Sequence, residues 1–118
     1  FDVATGGHGS AEVGSSTLES WLPINIFGMT ISTLQGGYDI LSPDEPASMQ
    51  AHAKQQCFGT LLNQEYSMLA SSTLVDTNYD KIPDMRFGRA WNKINHFYNG
   101  GQYESAKNIC ESINLEFE

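Results

Sequence analysis

The sequence predicts a mainly α-helical fold: a small helical domain with a long central helix and a C-terminal αα-hairpin, preceded by a Gly-rich N-terminal arm. Three observations predict it. Met49, Ala53, Cys57, Phe58, Leu61, Leu62, Tyr66 and Leu69 recur at helical spacing in the middle of the chain. Phe87, Trp91, Ile94 and Tyr98, and then Tyr103, Ala106, Cys110 and Ile113, form two further stripes parted only by a short Asn99-Gly100-Gly101 link. A link that short makes the two helices antiparallel neighbours. The length, 118 residues, suits one core and not two. The division that follows is an arm over 1–16 and a single helical domain over 17–118.

The elements follow in order. Residues 1–16, FDVATGGHGSAEVGSS, hold too little apolar surface to offset backbone ordering. They read as an extended arm, flexible or ordered on a partner, with His8 simply solvated. Thr17 begins a short helix through Trp21 and Leu22, and Pro23 stops it. Ile24-Asn25-Ile26 and Met29-Thr30-Ile31 alternate about Gly28, which predicts a short β-hairpin over 24–34 closed by Gly36-Gly37. A helical stripe through Ile26, Phe27, Thr30 and Leu34 competes with it, but the β-branched content favours strands. Ser42-Pro43-Asp44-Glu45 reads as the start of the central helix, with Ser42 or Asp44 as cap and Ser71-Ser72 at the end. Gly59 costs that helix about 1 kcal/mol relative to Ala and marks a place of close packing. Residues 76–84, DTNYDKIPD, form a polar loop, and Pro83-Asp84 opens the next helix.

The last two helices have a familiar pattern. Ala90-Trp91, Ile94, Tyr98, Gly101, Tyr103 and Ala106, ending in Ser112-Ile113-Asn114-Leu115-Glu116, resemble one tetratricopeptide-type helical hairpin over residues 90–116. The resemblance implies the hairpin geometry and a kinship with protein-binding repeats. It departs at Asn95, where Gly is usual, at Phe97, where a small residue is usual, and in a turn one residue short. There is one copy, whereas such repeats stack in threes or more.

Charge narrows the function classes. The chain carries 14 acids against 6 bases, a net charge of −8, and residues 1–53 contain no Lys or Arg. Such a balance argues against sequence-independent nucleic-acid binding, which needs a cationic footprint, and against docking on anionic lipid. No apolar run is long enough for a transmembrane segment. The chain opens on Phe1, which reads as a processed end or an arbitrary cut.

Asp76-x-Asn78-x-Asp80-x-Ile82-x-Asp84 is the strongest local site signal. Alternate oxygen-bearing side chains on a loop can wrap a hard cation, and the spacing resembles the loops of EF-hand and thrombospondin type-3 calcium modules. Calcium is therefore the one cofactor expectation, with Asp76, Asn78, Asp80 and Asp84 as ligands. Against it, Lys81 stands where Gly normally allows the sharp turn, and Phe87 where a bidentate carboxylate belongs. The plainer alternative is a solvated turn in which Asp84 caps the following helix and Asp76 or Asn78 makes an Asx-turn.

Three readings compete for Cys57 and Cys110: buried free thiols, one disulfide, or a zinc site with His52 and His96. Zinc is set aside because the Cys and His spacings suit it poorly, and the disulfide is favoured over free thiols. It implies a secreted or lumenal, oxidising setting. A Cys–His pair such as Cys57 with His96 would be the nucleophile and base of a thiol enzyme. Glu65 and Glu111 read as helix residues at the solvent boundary, and no catalytic motif is present. Trp91, Tyr98 and Tyr103 are candidate interface aromatics, and Arg86, Arg89 and Lys93 form a basic stripe on the opposite face of the same helix from Trp91. The expected function is a non-catalytic protein-interaction module or accessory subunit of a larger complex. A secreted calcium-binding module comes second and a small thiol or hydrolytic enzyme third.

Overall fold

The structure, a computed structural model, describes residues 2–4, 10–12, 15–41, 48–67 and 70–117. The chain is mainly helical, as expected. The order is β1 (Asp2–Ala4), β2 (Ser10–Glu12), α1 (Ser15–Trp21), β3 (Ile24–Ile26), β4 (Met29–Ile31), α2 (Leu34–Leu41), α3 (Met49–Ser67), β5 (Leu74–Val75), β6 (Met85–Arg86), α4 (Phe87–Asn99) and α5 (Tyr103–Phe117). The strands pair only as antiparallel hairpins: β1 with β2, β3 with β4, and β5 with β6. Half of the expected arm lies outside the described residues. Its described parts pair Asp2 with Glu12 and Ala4 with Ser10.

The central element is α3 packed on α5. Phe58, Leu62, Ile109 and Ile113 are buried there, and the sulfurs of Cys57 and Cys110 stand at bonding distance, 2.03 Å, with both residues fully enclosed. Beside them a polar network bridges the two helices. The Thr60 hydroxyl and the Asn63 amide donate to Asn114 Oδ1 at 2.7 and 3.0 Å, and Asn114 Nδ2 donates to the Gln56 carbonyl at 3.0 Å. Each buried donor thus meets an acceptor at one relative placement of the helices, so the network specifies how they register. Gly59 lies against the same residue, where an added Cβ would sit 3.7 Å from Asn114 Nδ2. That is an ordinary contact, looser than the close packing its presence suggests.

Three boundaries differ from the sequence expectation. The second hairpin strand ends at Ile31, and Gly36-Gly37 lie inside α2 instead of closing a strand. Thr33 starts that helix, its hydroxyl accepting the Gly36 N–H at 3.0 Å. Gly37 is buried against the Phe58 ring, where an added Cβ would stand in ordinary contact at 3.6 Å. The hairpin about Gly28 is formed, with Phe27 in the turn and not in the strand: Phe27 and Gly28 both have positive φ, 50° and 80°, the signature of a two-residue type I′ turn. The central helix begins at Met49, with the Ser48 hydroxyl accepting the Ala51 N–H at 3.1 Å. The caps expected at Ser42 or Asp44 lie outside the described residues. Last, Pro83-Asp84 do not open α4. Met85 and Arg86 first pair with Val75 and Leu74, and the helix starts at Phe87. Its leading amides are satisfied by the preceding chain, Phe87 N–H to the Thr73 carbonyl at 2.8 Å and Gly88 N–H to that of Ser71 at 2.9 Å.

The αα-hairpin is formed as expected. Gln102 N–H donates to the Phe97 carbonyl at 2.8 Å, and Gly101 takes φ 80° in the link. No helix of the described residues is long and apolar enough to cross a membrane.

Candidate functional site

The 76–84 loop leaves β5, returns into β6 and leans on the end of α5. Asp76 anchors it and is only 4 % exposed. Its carboxylate accepts the N–H of Asn78 at 3.0 Å and of Lys81 at 2.8 Å, so one side chain closes two turns of backbone. The Asx-turn at Asp76 is thus present, and Asp80 makes another, accepting the Ile82 N–H at 2.8 Å. Lys81 has φ 65° and Tyr79 φ 64°. The chain therefore takes the left-handed turn that calcium loops assign to Gly, with Lys in that place.

Two residues of α5 bolt the loop down. Ser112 donates to the Asp76 carbonyl at 2.8 Å and accepts the Tyr79 N–H at 3.1 Å. Glu116 accepts the Asp76 N–H. The Glu116 carboxyl titrates above its ordinary range, first because it is desolvated and then because Asp76 and Asp84 add like charge; the Asp76 N–H partly opposes this.

The structure brings three of the four expected cation ligands together. One end of the Asn78 carboxamide lies 2.9 Å from Asp76 Oδ1 and 2.9 and 3.1 Å from the two Asp80 carboxylate oxygens. With nitrogen at that end, the amide bridges two carboxylates by donating to both. With oxygen there, three acceptors converge as they do around a cation. Asp84 behaves differently. Both its oxygens bind Thr77, accepting the N–H at 2.7 Å and the hydroxyl at 2.6 Å. It does not cap α4, because the β5–β6 pairing places Met85 and Arg86 between it and the helix. Desolvation pushes its carboxyl upward, but the two Thr77 bonds outweigh that and hold it below its usual range, helped by the charge on Lys93. Among the described residues no three His, Cys, Asp or Glu side chains are grouped to hold a metal ion.

Between the loop and α5 lies a cleft of about 340 Å³, lined by Asp76, Tyr79, Lys81, Ser112, Leu115 and Glu116. Large apolar side chains stand exposed around it: Tyr79 at 47 %, Leu115 at 53 % and, further along the loop, Ile82 at 65 %. The Tyr79 hydroxyl titrates above its normal value through desolvation and the Glu111 carboxylate beside it. Tyr79, Ser112, Leu115 and Glu116 had not been singled out as site residues by sequence reasoning. Ser112 and Glu116 are four apart on one helix face, a spacing visible in the sequence, but nothing there says which loop that face meets.

The other candidates are placed as follows. Arg89 and Lys93 are exposed on α4, with the Lys93 ammonium 5.9 Å from the centre of the Phe97 ring, but Arg86 is exposed on β6, so the expected basic stripe does not lie on one helix. Tyr98 is 8 % exposed, and Trp91 and Tyr103 are half-buried against the core. Phe27 from the hairpin turn stacks on Tyr98 at 3.7 Å between centroids and lies 6.1 Å from Trp91, while Tyr103 meets Tyr98 edge-on at 4.9 Å. These aromatics knit the β-hairpin to the αα-hairpin. The paired Cys57 and Cys110 leave neither the zinc set nor the Cys57–His96 pair a thiolate. Comparison with protein-family models, with curated proteins and with solved structures finds no match, so the chemistry of the site rests on its own residues.

Proposed function

We propose that this chain is a non-catalytic protein-interaction module, or accessory subunit of a larger assembly, that binds through the cleft between the 76–84 loop and the end of α5. One observation carries the reading: Tyr79 and Leu115 stand exposed at a concavity whose walls are held in place by Asp76, Ser112 and Glu116. Exposed aromatic and aliphatic side chains on a rigid frame are what a partner buries. The paired cysteines favour an oxidising setting, secreted or lumenal. The test is native mass spectrometry of the protein from its source, followed by hydrogen exchange of the isolated complex. A bound partner with protection over 76–82 and 112–116 is expected. A free monomer, or protection confined to another face, overturns the proposal.

A second reading, a secreted calcium-binding module, draws on the alternating Asp76, Asn78 and Asp80 and on the left-handed backbone at Lys81; it requires the Asn78 amide, which satisfies both carboxylates with its nitrogen, to turn end for end. In this reading the Asn78 amide oxygen joins the two carboxylates on the ion. Calorimetric titration with calcium then shows heat, and the melting temperature rises with calcium and falls with chelator. No heat and no shift remove it.

A further inference from the structure

We infer that the cleft receives an arginine side chain presented by a partner protein; this rests on the cleft being the binding surface. Its volume, about 340 Å³, is at the small end for ligand sites, which suits one long side chain and not a folded element. Tyr79 and Leu115 form apolar walls, the right lining for a methylene stem and a planar guanidinium. Glu116 lies in the same lining. It is partly desolvated, has two carboxylates nearby, and its only described hydrogen bond is from the Asp76 N–H. Among the described residues the single ion pair is Lys107 with Glu111, 3.2 Å, so Glu116 has no described cationic partner. Lys81 borders the cleft with an exposed side chain, and its like charge opposes an incoming guanidinium. A metal ion fits the cleft less well. Most of its wall is apolar, and the Glu116 carboxylate already accepts the Asp76 N–H, with no described contact to Asn78 or Asp80. An organic cation with an apolar stem uses both halves of the lining, and a guanidinium meets a carboxylate by two parallel hydrogen bonds.

The test is a titration of the full chain, followed by amide NMR, with N-acetyl-arginine methylamide. N-acetyl-norleucine methylamide and calcium chloride are the comparison arms. Saturable shifts on Asp76, Tyr79, Lys81 and Ser112 to Glu116 are expected with arginine. Glu116→Gln keeps an acceptor for the Asp76 N–H and weakens binding about tenfold, the worth of a charge-assisted bond. Leu115→Ser weakens it severalfold, and Lys81→Gln strengthens it. Absence of saturable shifts, or indifference to Glu116→Gln, overturns the inference. Norleucine binding as well as arginine overturns the charge recognition while leaving the cleft a binding surface. Calcium producing the same shifts and displacing arginine overturns it in favour of a metal.

Discussion

At the scale of single residues, a carboxyl of the loop, Asp84, and one of α5, Glu116, pull stability in opposite directions with pH. Asp84 titrates below its ordinary range through Thr77, so its contribution is present above the unfolded carboxyl's range and is lost as pH falls through the folded value. Glu116 titrates above its range, so its contribution is present below the unfolded value and is lost as pH rises through the folded one. Both groups are largely solvated, which keeps the effects small. Glu116→Gln, a mimic of the neutral acid, is expected to gain on the wild type as pH rises through that window. Thr77→Val is expected to soften the loss of stability in acid. Urea midpoints across the acid range to neutrality check both; parallel curves for wild type and Glu116→Gln contradict the first. The loop's anchors were partly legible in the sequence. Asp76, Asn78 and Asp80 show themselves by spacing, but Glu116 sits forty residues from Asp76, and only the packing of α5 brings it there.

At the scale of elements, two glycines in helices have opposite reasons for being there. Gly88 faces the chain before β5, and a Cβ would stand 3.1 Å from that of Ser71 and 3.3 Å from its carbonyl oxygen. Gly88→Ala is expected to cost about 1–3 kcal/mol, the scale of overpacking. Gly59 has ordinary room, so Gly59→Ala is expected to stabilise by up to about 1 kcal/mol through helix propensity. Denaturant unfolding of the two variants gives opposite signs; equal signs contradict the packing argument. The same contact explains the misplaced start of α4. Proline and aspartate are good helix openers taken alone, but a two-residue β-bridge to Leu74–Val75 holds Met85 and Arg86 extended. A strand pairing of that length leaves no periodic trace. Thr33 was similarly readable as a cap only in hindsight, because alternation from Met29 ran through it.

At the scale of the whole molecule, the α3–α5 pair is the frame on which the cleft is built. The cysteine pair joins residues 53 apart. Closing a loop of that length removes about 4 kcal/mol of denatured-state entropy in the chain model. Replacing both cysteines with serine is expected to lower unfolding free energy by about that much. It should also loosen the 76–84 loop, since Ser112 and Glu116 hang from the same helix. Calorimetric melting with amide exchange of the loop checks this; an unchanged melting temperature contradicts it.

By itself the sequence determined the helical class, the αα-hairpin, the short β-hairpin about Gly28 and the loop's alternating oxygens, because each is local chemistry repeated at a fixed period. Tertiary structure alone decided that Phe27 stacks on Tyr98, that Asp84 turns to Thr77, and that Ser112, Leu115 and Glu116 meet the loop to make a cleft. Those contacts join residues from different elements or fix which nearby partner a side chain takes. Their partners are selected by how the whole core packs, a constraint that no short window of residues contains.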